Sequence, residues 1–599
     1  MKRIALTTLV LSLASVGGCG PETPDYQKSE KTVWLDQHWQ KEQRDWYHHA
    51  DQGTQTFGIP YEWLMALEQP TLSFGSAGMF ADQAYLDQFG FIPSPELDNA
   101  TKLPVGFAHG AGIVDPTTGQ AWENPQTHQP FTSAGLTCAA CHTGRMTYGK
   151  TSLFIDGGAA MTDLGKFRTA LGLSIAYTIY VPFRADRFAE RVLGPNASPE
   201  ATAALKQKLS DLLKSGKAAL ALDDGVKDSS LEEGFGRLDA LNRIGNQVFA
   251  LDLAIDENYV GTSAPVHYPH IWDSSWFDWV QYNGSIMQPM VRNAGEAMGV
   301  RALVNLTTDN DPKLPLYAST VNMDNLFKME QDLAGKQPDA ATGFTGLRAP
   351  SWPADVFGPV DQALASKGAA LYKELCQGCH LPPVKSPEFW SDKFWTAANA
   401  AGERYLKVTM IDTTEIGTDP AQAMGMEYRG LRLPKALGLT TDEHKPGDYS
   451  YGPALGAIVQ KTVEHWYDTH NIPPEQRQVM NGNRPNELQV PAKYKARPLD
   501  GVWASPPYLH NGSVPNIYAL LSPAKERPAK FYLGSREYDP VNLGYQDQSL
   551  AGGFEFDTSV LGNHNTGHEF DDAPPGGGII GRKLSPEERR ALVEYLKTL

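Results

Sequence analysis

Two pentapeptides constrain this chain more than anything else in it: Cys138-Ala139-Ala140-Cys141-His142 and Cys376-Gln377-Gly378-Cys379-His380. In C-x-x-C-H each thiol can add across a haem vinyl group, and the adjacent imidazole can take an axial position on the iron. A zinc site would need further Cys or His at ligand spacing nearby, and no His follows His142 until His267. A redox C-x-x-C pair has no need of His next in both copies. The pattern therefore predicts two covalently bound haem c groups, one on Cys138, Cys141 and His142, the other on Cys376, Cys379 and His380. His142 and His380 are the expected iron ligands. Five Cys in 599 residues are too few for a disulfide scaffold, and the motifs use all but Cys19.

Cys19 has its own context. A basic Met1-Lys2-Arg3 precedes an apolar and small-residue run from Ile4 to Val16, and Val16-Gly17-Gly18-Cys19 follows at once. The run is too short to span a bilayer and reads as an export signal. Its end resembles a bacterial lipobox, so residues 1–19 are expected to be a lipoprotein signal with Cys19 lipidated, and 20–35 a tether. An ordinary cleaved signal is the alternative. The expected location is periplasmic or cell-surface, with the outer membrane favoured because residue 20 is Gly rather than Asp. The membrane would be held by the lipid anchor alone. Charged residues make up 20% and the hydrophobic set 41%, which excludes a disordered chain and a membrane bundle. A net charge of −17 with no Lys/Arg-rich run argues against a nucleic-acid partner.

The expected fold is mainly α: two cytochrome c-like haem modules with long irregular loops and few short strands. The N-terminal module is placed at 36–355, with large insertions, and the C-terminal one at 360–599. Gly343 to Pro359, rich in Pro and Gly, makes the boundary. Gly368 to Glu374 reads as a helix running into the second motif. At the C-terminus Ser585 is an N-cap, Pro586 sits at N1, Glu587 and Glu588 fill the first turn, and Leu592, Leu596 and Leu599 share a face. Ala159–Arg184 and Pro199–Ala221 read as further helices, whereas 32–137 holds short helices at best. Trp272 to Tyr282 concentrates three Trp, one Phe and one Tyr, either as core or as part of a site.

Arg497 to Val514 contains Ser505-Pro506-Pro507-Tyr508-Leu509-His510-Asn511-Gly512, which resembles the A-P-Y-x-H-x-G segment of dihaem cytochrome c peroxidases. The dihaem enzyme that matures methylamine dehydrogenase carries that segment too. Phe531 to Asp539 and Gly562-Asn563-His564-Asn565-Thr566-Gly567-His568-Glu569-Phe570 are more similar to the dihaem rubber oxygenases of the same superfamily. The resemblance is strong over 366–599 and patchier before. It implies one haem as reaction centre and one as electron store or relay. Peroxidases often close the first haem with a His some tens of residues downstream. Here Met146 and Met161 are the only soft ligands in that stretch, so the first haem is expected to be open, with a Met or a distant His as ligand the alternative. The peroxidase Met that ligates the second haem has no counterpart, because the last Met is Met480. The rubber-oxygenase resemblance points instead to His568 as the second ligand of that iron, with His510 a pocket residue and His564 a loop residue.

Trp279-Val280-Gln281-Tyr282-Asn283-Gly284-Ser285 resembles the peroxidase F-W-D-G segment, whose Trp lies between the haems. Tyr282 holds that position in this register, and Trp279 is the runner-up. Gly295-Glu296-Ala297-Met298-Gly299 falls where the peroxidases place distal-pocket residues. The resemblance implies Glu296 as an acid or base over the open iron, with a plain helix-surface Glu the alternative, and Met298 on an apolar wall where the oxygenases place a large aromatic. These readings imply an oxidoreductase that activates O2 or H2O2, served by a periplasmic electron donor. An unidentified substrate is implied too, apolar if the chemistry is oxygenase-like. A non-catalytic dihaem electron-transfer cytochrome is the rival.

Overall fold

The computed structural model describes residues 20–72, 75, 77–94, 102–114, 120–307 and 315–599. Cys19 and the apolar leader lie outside the described residues. Lys31–Trp34 forms β1, and Lys41–His49 forms α1. Thr143–Tyr148 (β2) and Thr151–Asp156 (β3) follow the first motif as a hairpin. The sheet order is β1-β3-β2, with β1 parallel to β3. Asp156, fully buried at the end of β3, binds Arg44 Nε at 2.6 Å and His48 Nε2 at 2.8 Å, tying α1 to the sheet beside the motif.

Leu164–Tyr180 is α2, capped by Asp163, whose carboxylate accepts from Lys166 N–H. The expected longer helix stops short because Pro182 cannot continue the backbone ladder, and a separate helix runs from Arg184 to Leu193. Pro199–Gly225 is α3, with Ser198 as N-cap and Pro199 at N1. Pro289–Gly299 (α4) carries Glu296 and Met298. Gln362–Leu375 (α5) leads into the second motif. Thr409–Asp412 (β4) pairs antiparallel with Lys493–Ala496 (β5), and Tyr451–Thr469 (α6) lies between them in sequence. Pro586–Leu596 (α7) closes the chain with the expected Ser585–Glu588 capping box.

Helices account for 37% and strands for 15%, so the fold is mixed rather than mainly α. The strands are short pairs that pin loops: a long loop that is to carry ligands needs its backbone groups satisfied locally.

The packing joins the two halves. One core cluster combines Met290, Val291, Ala294 and Met298 of α4 with Leu455, Ile458, Val459 and Val463 of α6. A second joins Leu153, Ile155 and Trp272 to Trp503, Phe531, Leu592 and Leu596. Both clusters therefore cross the 355–360 segment. Where α5 meets α7 the helices approach closely enough that a Cβ on Gly368 would overlap the Ala591 carbonyl, and Tyr372 packs on Tyr595 with ring centroids 5.3 Å apart. That crossing fixes α5, and with it the start of the second motif.

Candidate functional site

Both motif histidines are set in the same way. His142 Nδ1 lies 2.8 Å from Pro269 O, and His380 Nδ1 lies 2.7 Å from Arg497 O. A carbonyl only accepts, so each Nδ1 carries the proton and each Nε2 keeps a lone pair. Burial pushes His142 down to about 4, and it lowers His380 below its ordinary value. Both rings are thus neutral at pH 7, in the tautomer that ligates a metal, and are oriented by an N–H to carbonyl bond behind them. The first motif is held from two sides. Tyr47 on α1 donates to His142 O at 3.0 Å, while Gly157 N–H and Ala160 N–H, just past β3, donate to His142 O and Cys141 O.

The four motif cysteines form no disulfide. Burial pushes Cys138, Cys141 and Cys376 up to about 12, away from the thiolate that a redox C-x-x-C uses. The donor set therefore fits covalent haem c.

Three C-terminal histidines compete for the face opposite His380, and the fold brings only one there. His568 stands with its ring centroid 6.0 Å from that of His380. Two imidazoles on either side of one metal, each bound at about 2 Å, have centroids about 6 Å apart. His568 Nδ1 is buried without a partner, and burial pushes the ring down to about 3. The 565–568 loop is gripped by the buried Arg527, which donates to the carbonyls of Asn565, Gly567 (2.9 Å) and His568 (3.1 Å). Gly567 has φ +74°, and a Cβ there would strike the Gly417 backbone, so Gly is required at that turn. His564 instead faces Asp419, with Nδ1 3.4 Å from its carboxylate. His510 stacks on Tyr494 with centroids 4.0 Å apart, and the Asp419 backbone supplies its hydrogen bond.

Among the described residues no imidazole meets the His142 ring as His568 meets His380; Tyr268 does, with ring centroids 6.5 Å apart. His267, two residues before Pro269, and His270, next after it, are both buried with Nε2 unpartnered, and both feel the charge of His142. Met146 and Met161 are buried in the core. Glu296 projects from α4 with an accessible side chain, and its charge is felt at both Cys138 and Cys141. Gln281 Nε2 donates to Glu296 Oε1 at 2.7 Å. The surrounding protein raises the Glu296 pKa by desolvation, with Arg292, one turn earlier, opposing it.

Met298 is 0% exposed, inside the core cluster that also holds the α6 residues. The two aromatic candidates also separate. Tyr282 donates to His267 O at 3.0 Å and meets the His510 ring edge-on at 6.1 Å. Trp279 is half-buried against the α4–α6 core. Trp272, Trp276 and Phe277 are core residues. Sequence reasoning missed Pro269, Gln281, Arg497 and Arg527. Gln281 and Arg497 fall inside quoted segments, but the contacts that matter at Pro269 and Arg497 include backbone carbonyls, which leave no residue-type signal.

Motif geometry and ligand tautomers define a cytochrome c-like haem protein. Residues 493–532, which include β5, Arg497, His510 and Arg527, match the family described as RoxA-like, cytochrome c-like. A domain of that kind implies covalently bound haem c and haem-dependent oxidoreductase chemistry. The chain is 60% identical over 580 residues to the uncharacterized protein y4iJ of Sinorhizobium fredii (strain NBRC 101917 / NGR234), covering 96% of this chain and 95% of that protein. It belongs to the same family as y4iJ. A second protein of that strain, the uncharacterized y4iM, is 27% identical over 342 residues, covering 55% of this chain and 63% of its own length.

Proposed function

We propose that the protein is a dihaem c-type oxidoreductase that activates O2 or peroxide at the His142 site and relays electrons through the His380 site. The observation that carries this reading is the asymmetry between the motifs: His568 faces His380 at 6.0 Å, whereas Tyr268 is the ring beside His142. Cys138, Cys141 and His142 would hold one haem, and Cys376, Cys379, His380 and His568 the other. When bound, haem supplies the redox centre and, where one axial position is free, a place for a diatomic or peroxide ligand.

The chain's own groups manage protons there. Gln281 holds Glu296 Oε1, leaving Oε2 to carry and release the proton. A carboxyl placed there can give and take a proton. With Met298 withdrawn into the core, this acid favours the peroxide branch over cleavage of an apolar alkene. Tyr282, which donates to His267 O and meets the His510 ring, is our candidate for the residue between the two sites. Export through the 1–19 signal, anchoring at Cys19 and a periplasmic electron donor complete the proposal. Among the described residues no helix is long and apolar enough to cross a membrane.

The test is the spectrum of the reduced protein with and without CO, beside a pyridine haemochrome count. Two haems per chain and CO on half of them are expected. No CO binding would leave an electron carrier, and one haem per chain would end the dihaem reading.

A further inference from the structure

The carbonyls that orient the two motif histidines are joined to each other. Pro269 O, which accepts from His142 Nδ1, belongs to the peptide leading into His270. His270 O accepts from Arg497 Nη1 at 2.7 Å, and Arg497 O in turn accepts from His380 Nδ1 at 2.7 Å. Three hydrogen bonds, one residue of backbone and one arginine thus run from imidazole to imidazole.

The two segments are fastened at further points. Trp272 O accepts from Arg497 Nη2 at 3.3 Å, and Trp272 Nε1 donates to Asp500 O at 3.0 Å. The His270 ring stacks on Trp272 with centroids 4.2 Å apart and meets Ser505 Oγ at 2.8 Å. The Arg497 guanidinium lies within electrostatic reach of His142, while its carbonyl binds His380.

We propose that Arg497 and the Pro269–His270 peptide form a relay that couples the two iron ligands, so that the oxidation state of one site is felt at the other. The proposal rests on the dihaem reading above and adds the residues that connect the sites. The physical basis is that a proximal imidazole responds to the strength of its Nδ1–H bond. Hydrogen bonds in series polarise one another in a low-dielectric interior. A carbonyl that accepts from the guanidinium at one end of the series alters the peptide offered to His142. The Arg497 backbone, held by the same fork, is the acceptor offered to His380. Arg497 acts through both histidines and is a positioning residue.

The test is potentiometric titration of the full-length holoprotein, with electron paramagnetic resonance of the low-spin site. It compares the wild type with Arg497→Lys, which keeps the charge and loses the fork, and Arg497→Gln, which loses both. Both variants keep the backbone carbonyl to His380 and should keep their haem. The expected result is that the wild-type titration shows each midpoint potential depending on the state of the other site, and that this mutual shift falls by more than half in both variants. A mutual shift equal to wild type in both, or one kept in Arg497→Lys and lost only in Arg497→Gln, would overturn the relay; the second result would assign the effect to charge alone. If either variant fails to accumulate, Asp500→Asn serves. Asp500 is an acidic neighbour that stabilises the Arg497 charge, and its carbonyl bond to Trp272 survives the change. Both midpoint potentials should then rise, and movement of one alone would overturn the proposal. A count of one haem per chain in the wild type would retire the dihaem reading and is read separately from these outcomes.

Discussion

Acid should weaken this fold at specific histidines, and His510 offers the cleanest way to see it. Burial pushes His267 and His510 down to about 3 from an ordinary 6.5, Arg237 adding to the effect at both. Below pH 6.5 the unfolded chain protonates these rings while the folded chain does not, so the unfolded state binds more protons. Stability then falls as pH falls, until the folded pKa near 3 is reached. At pH 4.5, about two units below the unfolded value, each ring accounts for about 3 kcal/mol of lost stability at about 1.4 kcal/mol per unit. His510→Gln keeps an N–H donor for the Asp419 backbone but has no proton to gain. Urea unfolding of the holoprotein at pH 7 and pH 4.5, followed by far-ultraviolet circular dichroism, should show a loss smaller by about 3 kcal/mol in the variant. Equal losses in the two proteins would refute the assignment of buried, neutral His510 as an acid-labile element.

Three further outcomes follow from the geometry. His568→Ala should convert one low-spin site to a high-spin or water-ligated one while leaving the other spectrum unchanged; a retained low-spin signal would move the ligand to another group. Gly368→Ala should cost about 1–3 kcal/mol through overpacking at the α5–α7 crossing, read as a lower Tm, and an unchanged Tm would mean that the helices can part without penalty. Glu296→Gln should slow peroxide turnover by ~10²–10⁴-fold with folding and haem content preserved, whereas unchanged turnover would remove Glu296 from the proton path.

Much of the site could be read locally. C-x-x-C-H is a contiguous pattern whose chemistry depends on adjacent residues, so the six motif positions needed no tertiary information. The C-terminal helix was equally legible, because Ser585, Pro586 and Glu588 satisfy its first turn among themselves. Choosing His568 over His510 and His564 drew on family resemblance, since all three sit in similar Gly- and Asn-rich loops.

What separates those histidines in space is contact between distant residues. Arg527 holds the loop of His568, Asp419 holds His564, and Tyr494 covers His510. Glu296 and Met298 lie two positions apart on one helix, and the 100° turn per residue sends them to different surroundings. Which of them reaches open space depends on where α6 packs, and α6 is remote in sequence. The link through Pro269, His270 and Arg497 depends on backbone carbonyls that any residue possesses. Composition and spacing therefore mark where haem is proposed to attach, because covalent attachment is a short-range demand. Tertiary structure decided which side chains face those positions and how the two are joined, because burial, tautomer and hydrogen-bond partner belong to the folded environment and not to the residue type.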